Sequence, residues 1–282
     1  MITIIAEKPS VALDIARIVG AGTRRDGYME GNGYAVTWAF GHLVEIYPDK
    51  GEEWDSPLPV LPERFLLRVG QTRGKDGAMR PDSVYRHQLD VIGSLFSRSE
   101  YIINAGDAGR EGELIQRYIY TFVGARAPVR RLWISSMTDE AIKEGLRNLQ
   151  PSARYDDLYL AGKARSEADW LIGINATRAL TKAVGGKGVR SLGRVQTPTL
   201  ALVCRRFIEN RDFVPVPFWT LEAEAMLGAE HFTVRSESRY DDYDGAYQAL
   251  VVLQRCGMLT VDSVEKETVK QQPPLLHDLT SL

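Results

Sequence analysis

Three carboxylates and a lysine are the side chains in this sequence best placed to do chemistry. Glu7 and Lys8 stand directly after the apolar run Ile2–Ala6, and Asp107 and Glu111 stand in GDAGREGE, directly after Tyr101–Ala105. Two carboxylates four residues apart converge on one cation if a helix begins in the turn that carries them. The elements needed to position them are legible on either side. An apolar strand over 101–105, a glycine turn and a helix over 114–122 make half of a βαβ unit, and ligands collect at that edge of a parallel sheet. Because the turn carries acids in place of a GxGxxG, it suits a cation and not a pyrophosphate.

The N-terminus reads as the matching half. The run Ile2–Ala6 is continuous enough for a strand buried on both faces. A helix follows with Val11, Ile15, Ile18 and Val19 on one side, ended by Gly20, with Ser10 as its expected N-cap. If the two strands are neighbours, Glu7, Asp107 and Glu111 face one point. Arg110 is either a phosphate contact or, the favoured reading, the partner that neutralises Glu111 or Glu113. Glu113 is the weakest ligand of the acids, because two positions beyond Glu111 it faces another side of the helix.

A second set of polar residues lies further on. Arg190, Ser191, Arg194, Gln196 and Thr197 lead into a helix for which Thr197-Pro198 is the expected cap and first turn, and such donors at a helix N-terminus are equipment for holding phosphates. A solvated loop is the plainer alternative. On the long helix expected over 153–182, Arg165 and Asp169 are four apart, which also suits a surface ion pair. Arg178 lies three turns beyond Arg165.

IIAEKPS at 4–10 and DAGREGEL at 107–114 resemble the Toprim fold of type IA DNA topoisomerases, most similarly the topoisomerase III branch. SLGRVQTPTLALV at 191–203 resembles a DNA-contacting segment of the same family. The resemblance implies that Asp107 and Glu111 hold Mg²⁺, and that Lys8 contacts the scissile phosphate. Glu7 acts either as proton-transfer group or as a metal ligand. Ser191, Arg194, Gln196 and Thr197, with Arg165, Asp169 and Arg178 on the neighbouring helix, would line a groove for single-stranded DNA. The activity implied is ATP-independent breakage, passage and rejoining of DNA strands through a 5′-phosphotyrosyl link. Two departures stand out. None of the twelve tyrosines lies in the family's TYPR setting, so the nucleophile is expected outside these residues, and Gly109 stands where many members carry a further acid. A Toprim nuclease or primase-like enzyme, and a non-catalytic single-strand binding module, are the alternatives.

The chain's 282 residues are 44% hydrophobic and 26% charged, as in ordinary globular proteins of two or more domains. A net charge of −2 gives no global attraction to DNA, so binding must come from local basic clusters. Cys204 and Cys256 form no CxxC, which argues against zinc; Cys204 is expected in a core. Glu7 and Lys8 interrupt the first apolar run too early for a signal peptide, and no run spans a membrane, so the cytoplasm is expected; with the resemblance, the expectation is a monomer acting on bacterial nucleoid or plasmid DNA. Alternating strands and helices predict an α/β Toprim domain over 1–149 with a mostly parallel sheet, its residues 48–82 a long loop with one short strand at Phe65–Val69. A helical domain over 150–215 and the start of a β-rich arch over 216–282 should follow. In the arch, strands are expected at 219–226, 230–236 and 259–264, and the approach to a gate domain at 272–282.

Overall fold

The computed structural model describes residues 1–271 and 273. The chain divides into two compact units, Met1–Cys204 and Arg205–Leu282. In chain order the first unit runs β1 (Ile2–Ala6), α1 (Pro9–Val19), β2 (Thr23–Arg25), β3 (Tyr28–Gly31), β4 (Tyr34–Trp38), β5 (Val44–Pro48), β6 (Phe65–Val69), β7 (Gln71–Arg73), β8 (Met79–Pro81) and α2 (Ser83–Ser97). It continues with β9 (Tyr101–Ala105), α3 (Arg110–Val123), β10 (Val129–Arg131), α4 (Asp139–Arg147), β11 (Gln150–Pro151) and α5 (Asp156–Val184). α6 (Gln196–Arg211) contains the division point, and β12 (Glu222–Leu227), β13 (Glu230–Arg235) and α7 (Tyr243–Cys256) belong to the second unit.

The first unit is built on a seven-stranded sheet of order β11-β10-β9-β1-β4-β3-β2. Its centre is parallel, with β1 paired to β4 on one side and to β9 on the other, and β10 beyond β9. Both edges are antiparallel. The apolar runs make the centre possible. Ile4 and Ile103 point to the layer packed by Ala12, Ile15 and Ile142, and Ile5 and Ile102 to the layer packed by Leu89, Ile92, Leu114 and Ile119. Strand residues alternate between faces, so only a strand buried on both sides needs apolar residues at every position. The β3–β4 hairpin turns on Asn32 and Gly33, both left-handed, as a two-residue turn requires.

From β1 the chain crosses to β4, and later it returns to β9 on the other side of β1. The carboxyl ends of β1 and β9 therefore flank a topological switch point, where an open α/β sheet leaves a crevice for a ligand. Glu7 and Gly106-Asp107 are the residues that emerge there, because Ala6 is in register with Ala105.

Several local expectations change. Lys8, and not Ser10, caps α1, with Pro9 in its first turn. α6 begins at Gln196, so Thr197 lies inside it, and its hydroxyl instead accepts from the Gly193 amide at 3.0 Å. Residues 48–82 hold more than one strand: beside the expected β6, which pairs with β5, β7 pairs with β8. In the second unit β12 and β13 form a hairpin, but 259–264 is irregular and forms no strand. Cys204 is exposed. The gate approach at 272–282 lies outside the described residues, apart from Pro273.

Candidate metal centre and nucleic-acid interface

At the switch point the charged groups are already close. The Lys8 ammonium lies 2.8 Å from Asp107 Oδ2 and 4.0 Å from Glu7 Oε1. Glu7 Oε2 accepts weakly from the Asp107 amide at 3.3 Å. Burial, reinforced by the Asp107 charge, pushes the Glu7 carboxyl above its ordinary value; Lys8 only partly offsets this. The hydrogen bond that Lys8 donates to Asp107 pushes the Lys8 ammonium above its ordinary value. Glu111, on the exposed first turn of α3, lies 2.8 Å from His42 Nε2. His42 is thus a loop histidine with a partner, as its setting in Gly41-His42-Leu43 suggests, but the partner is one of the acids. Among the described residues, no three His, Cys, Asp or Glu side chains stand close enough to hold one ion as they lie. Asp107 is engaged by Lys8 and Glu111 by His42.

The turn is held from behind by a buried network that the spacing of the acids does not reveal. Glu113 is fully buried; it accepts from Arg117 Nε at 2.8 Å, Arg131 Nε at 3.0 Å and Asn104 Nδ2 at 3.1 Å. Arg131, also fully buried, donates to the carbonyls of Asn104 (3.2 Å), Gly106 (2.7 Å), Leu132 (2.8 Å) and Asp107 (2.7 Å). Burial pulls the Arg131 guanidinium down from its usual value, and Glu113 opposes that. A buried charge is tolerated only when paired and hydrogen-bonded, and each of these charges has partners. Arg117 and Arg131 therefore neutralise Glu113, the role expected of Arg110; Arg110 makes no ion pair among the described residues.

Two glycines differ sharply here. A Cβ on Gly112 would stand 2.3 Å from the Asp107 carbonyl oxygen and 2.7 Å from its nitrogen, so the Asp107 backbone packs directly on α3. At Gly109 the backbone is extended and a Cβ would meet nothing within 4 Å, so the acid common at this position in the family would fit.

The second cluster lies along α5. Arg194 grips Asp169 with two bonds, Nε to Oδ1 at 2.6 Å and Nη2 to Oδ2 at 3.2 Å, and Arg165 Nε approaches the same carboxylate at 3.7 Å. Arg194 holds the Asp169 carboxyl below its ordinary range. Two guanidinium groups share one carboxylate, which leaves a net positive, exposed patch. Gln196 Nε2 donates to Ser191 Oγ at 2.6 Å, and Thr177 pins the loop by exchanging bonds with Leu192 at 3.0 and 3.1 Å. Arg178 is placed differently. It is 1% exposed and donates to the carbonyls of Gly51 (3.1 Å) and Glu52 (2.7 Å), while Asn175 grips the backbone of Val60 through bonds of 2.6 and 2.9 Å. Those contacts strap the 51–60 segment to α5.

α5 packs on α3 through Gly162, whose added Cβ would stand 3.0 Å from the Arg110 carbonyl oxygen. Asp156, at the start of α5, reaches Arg117, seven residues into α3. The two helices are thus antiparallel, and Arg165 and Asp169 extend past the α3 N-terminus, above the carboxyl edge of the sheet.

A mixed sheet with a parallel centre and acids at its switch point, followed by a helical part with a basic face, fits the class of proteins that carry a Toprim α/β domain. The Toprim domain model matches residues 3–137, and a DNA topoisomerase model matches 153–282. DNA topoisomerase 3 of Shouchella clausii is 40% identical over 289 residues, and that of Bacillus cereus (strain ATCC 14579) 42% over 292; each match covers 99% of this chain and 38% of the relative. The full-length topoisomerase I from Thermotoga maritima shares the fold, with a TM-score of 0.55 at 23% identity over 88% of this chain and 37% of that one. The chain belongs to the type IA DNA topoisomerase family. It spans about two fifths of the length of the curated relatives it matches. Toprim domains of topoisomerases depend on metal, and the topoisomerase relatives bind DNA. No described helix is long and apolar enough to cross a membrane.

Proposed function

We propose that these residues form the metal- and strand-holding part of a topoisomerase III-like enzyme, which breaks, passes and rejoins DNA strands without ATP. The observation that carries this is the meeting of Glu7, Lys8 and Asp107 at the switch point between β1 and β9. The ion is Mg²⁺, the nucleic acid is single-stranded, and the nucleophile is a tyrosine outside residues 1–282. Among the tyrosines here, burial pushes Tyr118 up to about 12 and Tyr120 higher still, the reverse of what an attacking phenolate needs. We assign the Toprim domain to 1–149, the groove to 150–215 and the arch to 216–282, in a monomer without zinc acting on bacterial cytoplasmic DNA.

The donors fit the ion. They are carboxylate oxygens, the hard ligands Mg²⁺ takes, and Mg²⁺ keeps several waters and needs only one or two of them. The raised proton affinity of Glu7 comes first from burial and then from the Asp107 charge, and a cation between the two carboxylates would relieve the second. Asp107 and Glu111 would hold the ion, with Glu7 the third candidate. Bound Mg²⁺ supplies positive charge against the charge that develops on the phosphate. Lys8, half exposed at the strand end, contacts that phosphate directly. Glu7, with its carboxyl pushed up, is suited to hold the proton that the leaving 3′ oxygen takes. The Arg165–Asp169–Arg194 patch, with Ser191, Gln196 and Thr197, holds phosphates of the approaching strand, and Arg178 orders the segment beside it.

Fluorescence anisotropy with a labelled oligothymidylate tests the groove. Arg194→Ala should weaken binding severalfold and lower the salt dependence by about one counterion. Unchanged affinity and salt slope would sink the assignment.

A further inference from the structure

Trp133 and Tyr155 are used by nothing described so far. Trp133 follows β10 at the same carboxyl edge as Glu7 and Asp107, two strands from β1 and so about 10 Å across the sheet. The residue is 38% exposed, and its ring stacks on Tyr155 with centroids 4.7 Å apart and planes 15° from parallel. The Arg131 guanidinium, which also holds the Asp107 carbonyl, lies 4.9 Å from the Trp133 centroid and 6.0 Å from that of Tyr155. A cation centred on the Trp133 face opposite Tyr155 would lie much further from Tyr155, so Arg131 does not occupy the middle of the outer face of the indole. Beside them Arg154 is exposed; its guanidinium binds the neutral Gln150 side chain at 2.9 Å and makes no ion pair among the described residues.

We propose that the outer face of Trp133, backed by Tyr155, is a stacking platform for one base of a DNA single strand, with Arg154 binding an adjacent phosphate. The proposal rests on the single-strand reading above and adds a base contact to it. Stacking against the buried Arg131 and Tyr155 does not account for the exposure that so large an aromatic side chain keeps. Tyr155 holds that face in one orientation before the ligand arrives, so little side-chain freedom is lost on binding. An aromatic plane beside a free cation is the equipment of sequence-tolerant single-strand sites, since every base has a π face.

The test uses the 282-residue chain and labelled oligothymidylate in Mg²⁺. Trp133→Ala should weaken binding about 5- to 150-fold, Trp133→Phe should retain most of it, and Arg154→Gln should lower the salt slope by about one. A series of oligonucleotides with a single abasic site, scanned along the strand against the unsubstituted protein, should show one position where loss of the base weakens binding by a similar factor. That arm stands even if Trp133→Ala fails to fold. In a folded Trp133→Ala, that position should become insensitive. Wild-type binding with no sensitive position, or unchanged in Trp133→Ala, overturns the platform and leaves the single-strand reading intact. No binding of any single strand by the wild-type chain overturns both.

Discussion

Replacing Gly112 by alanine should loosen the acidic turn, whereas the same change at Gly109 should not. At Gly112 the new methyl carbon would sit 2.3 Å from the Asp107 carbonyl oxygen, 2.7 Å from its nitrogen and 3.0 Å from its carbonyl carbon. These are backbone atoms, so no side chain can swing aside; either α3 or the Asp107 peptide must move by an ångström or more. Overpacking of this kind costs about 1–3 kcal/mol, although alanine's better helix propensity returns up to about 1 kcal/mol of it. At Gly109 the backbone is extended and the space empty, so alanine meets no clash; its restriction of the unfolded chain, a gain of about 0.4–1 kcal/mol, is offset by a loss of similar size at the N-cap of α3, where glycine is preferred to alanine. For a unit of some two hundred residues, each kcal/mol moves the thermal midpoint by about 2–4 °C. Thermal unfolding followed by circular dichroism, with and without Mg²⁺, reads both effects. Gly112→Ala should lower the midpoint and reduce the upward shift given by Mg²⁺; Gly109→Ala should leave the midpoint nearly unchanged, with the Mg²⁺ shift intact. If the two variants behave alike, the close packing of the Asp107 backbone on α3 is not what positions the turn.

Removing one partner of the buried pair should be costly: Arg131→Met leaves Glu113 with Arg117 as its one ion-pair partner and Asn104 as a neutral donor, an expected loss of about 3–5 kcal/mol, and Arg131→Met with Glu113→Leu should lose less than the two single changes together, as a denaturant double-mutant cycle would show. Glu7 supplies a pH signature. Its raised carboxyl means that the folded protein holds the proton more tightly than the unfolded chain, so this contribution is present below about pH 4.5 and lost as pH rises through the raised value. Glu7→Gln should therefore raise the midpoint of the metal-free protein at pH 8 and give no gain at pH 4, as melts at the two pH values would read.

The central strands were legible because burial on both faces demands unbroken apolar runs, and the acids because they follow those runs directly. The Glu113–Arg131 pair was not, since its partners lie eighteen residues apart on different elements and only folding brings them together. A signal did exist: each sits beside apolar residues in a segment that reads as buried, Glu113 before Leu114-Ile115 and Arg131 before Leu132. Two opposite charges in such positions have to meet. The contact of His42 with Glu111 and the strap from Arg178 to residues 51 and 52 depend on how the 41–82 segment folds back, which local periodicity does not encode. Cys204 shows a further limit, because an apolar helical face is a core face only where something covers it.

The most direct test of the account uses the 282-residue chain with an end-labelled single-stranded oligonucleotide, with and without Mg²⁺, stopped in denaturant. Binding under native conditions with an uncut, unattached strand after denaturation is the result predicted. Metal-dependent products with free ends would make the acid cluster a nuclease site, and a covalent protein–DNA adduct would mean that a tyrosine among these residues is the nucleophile.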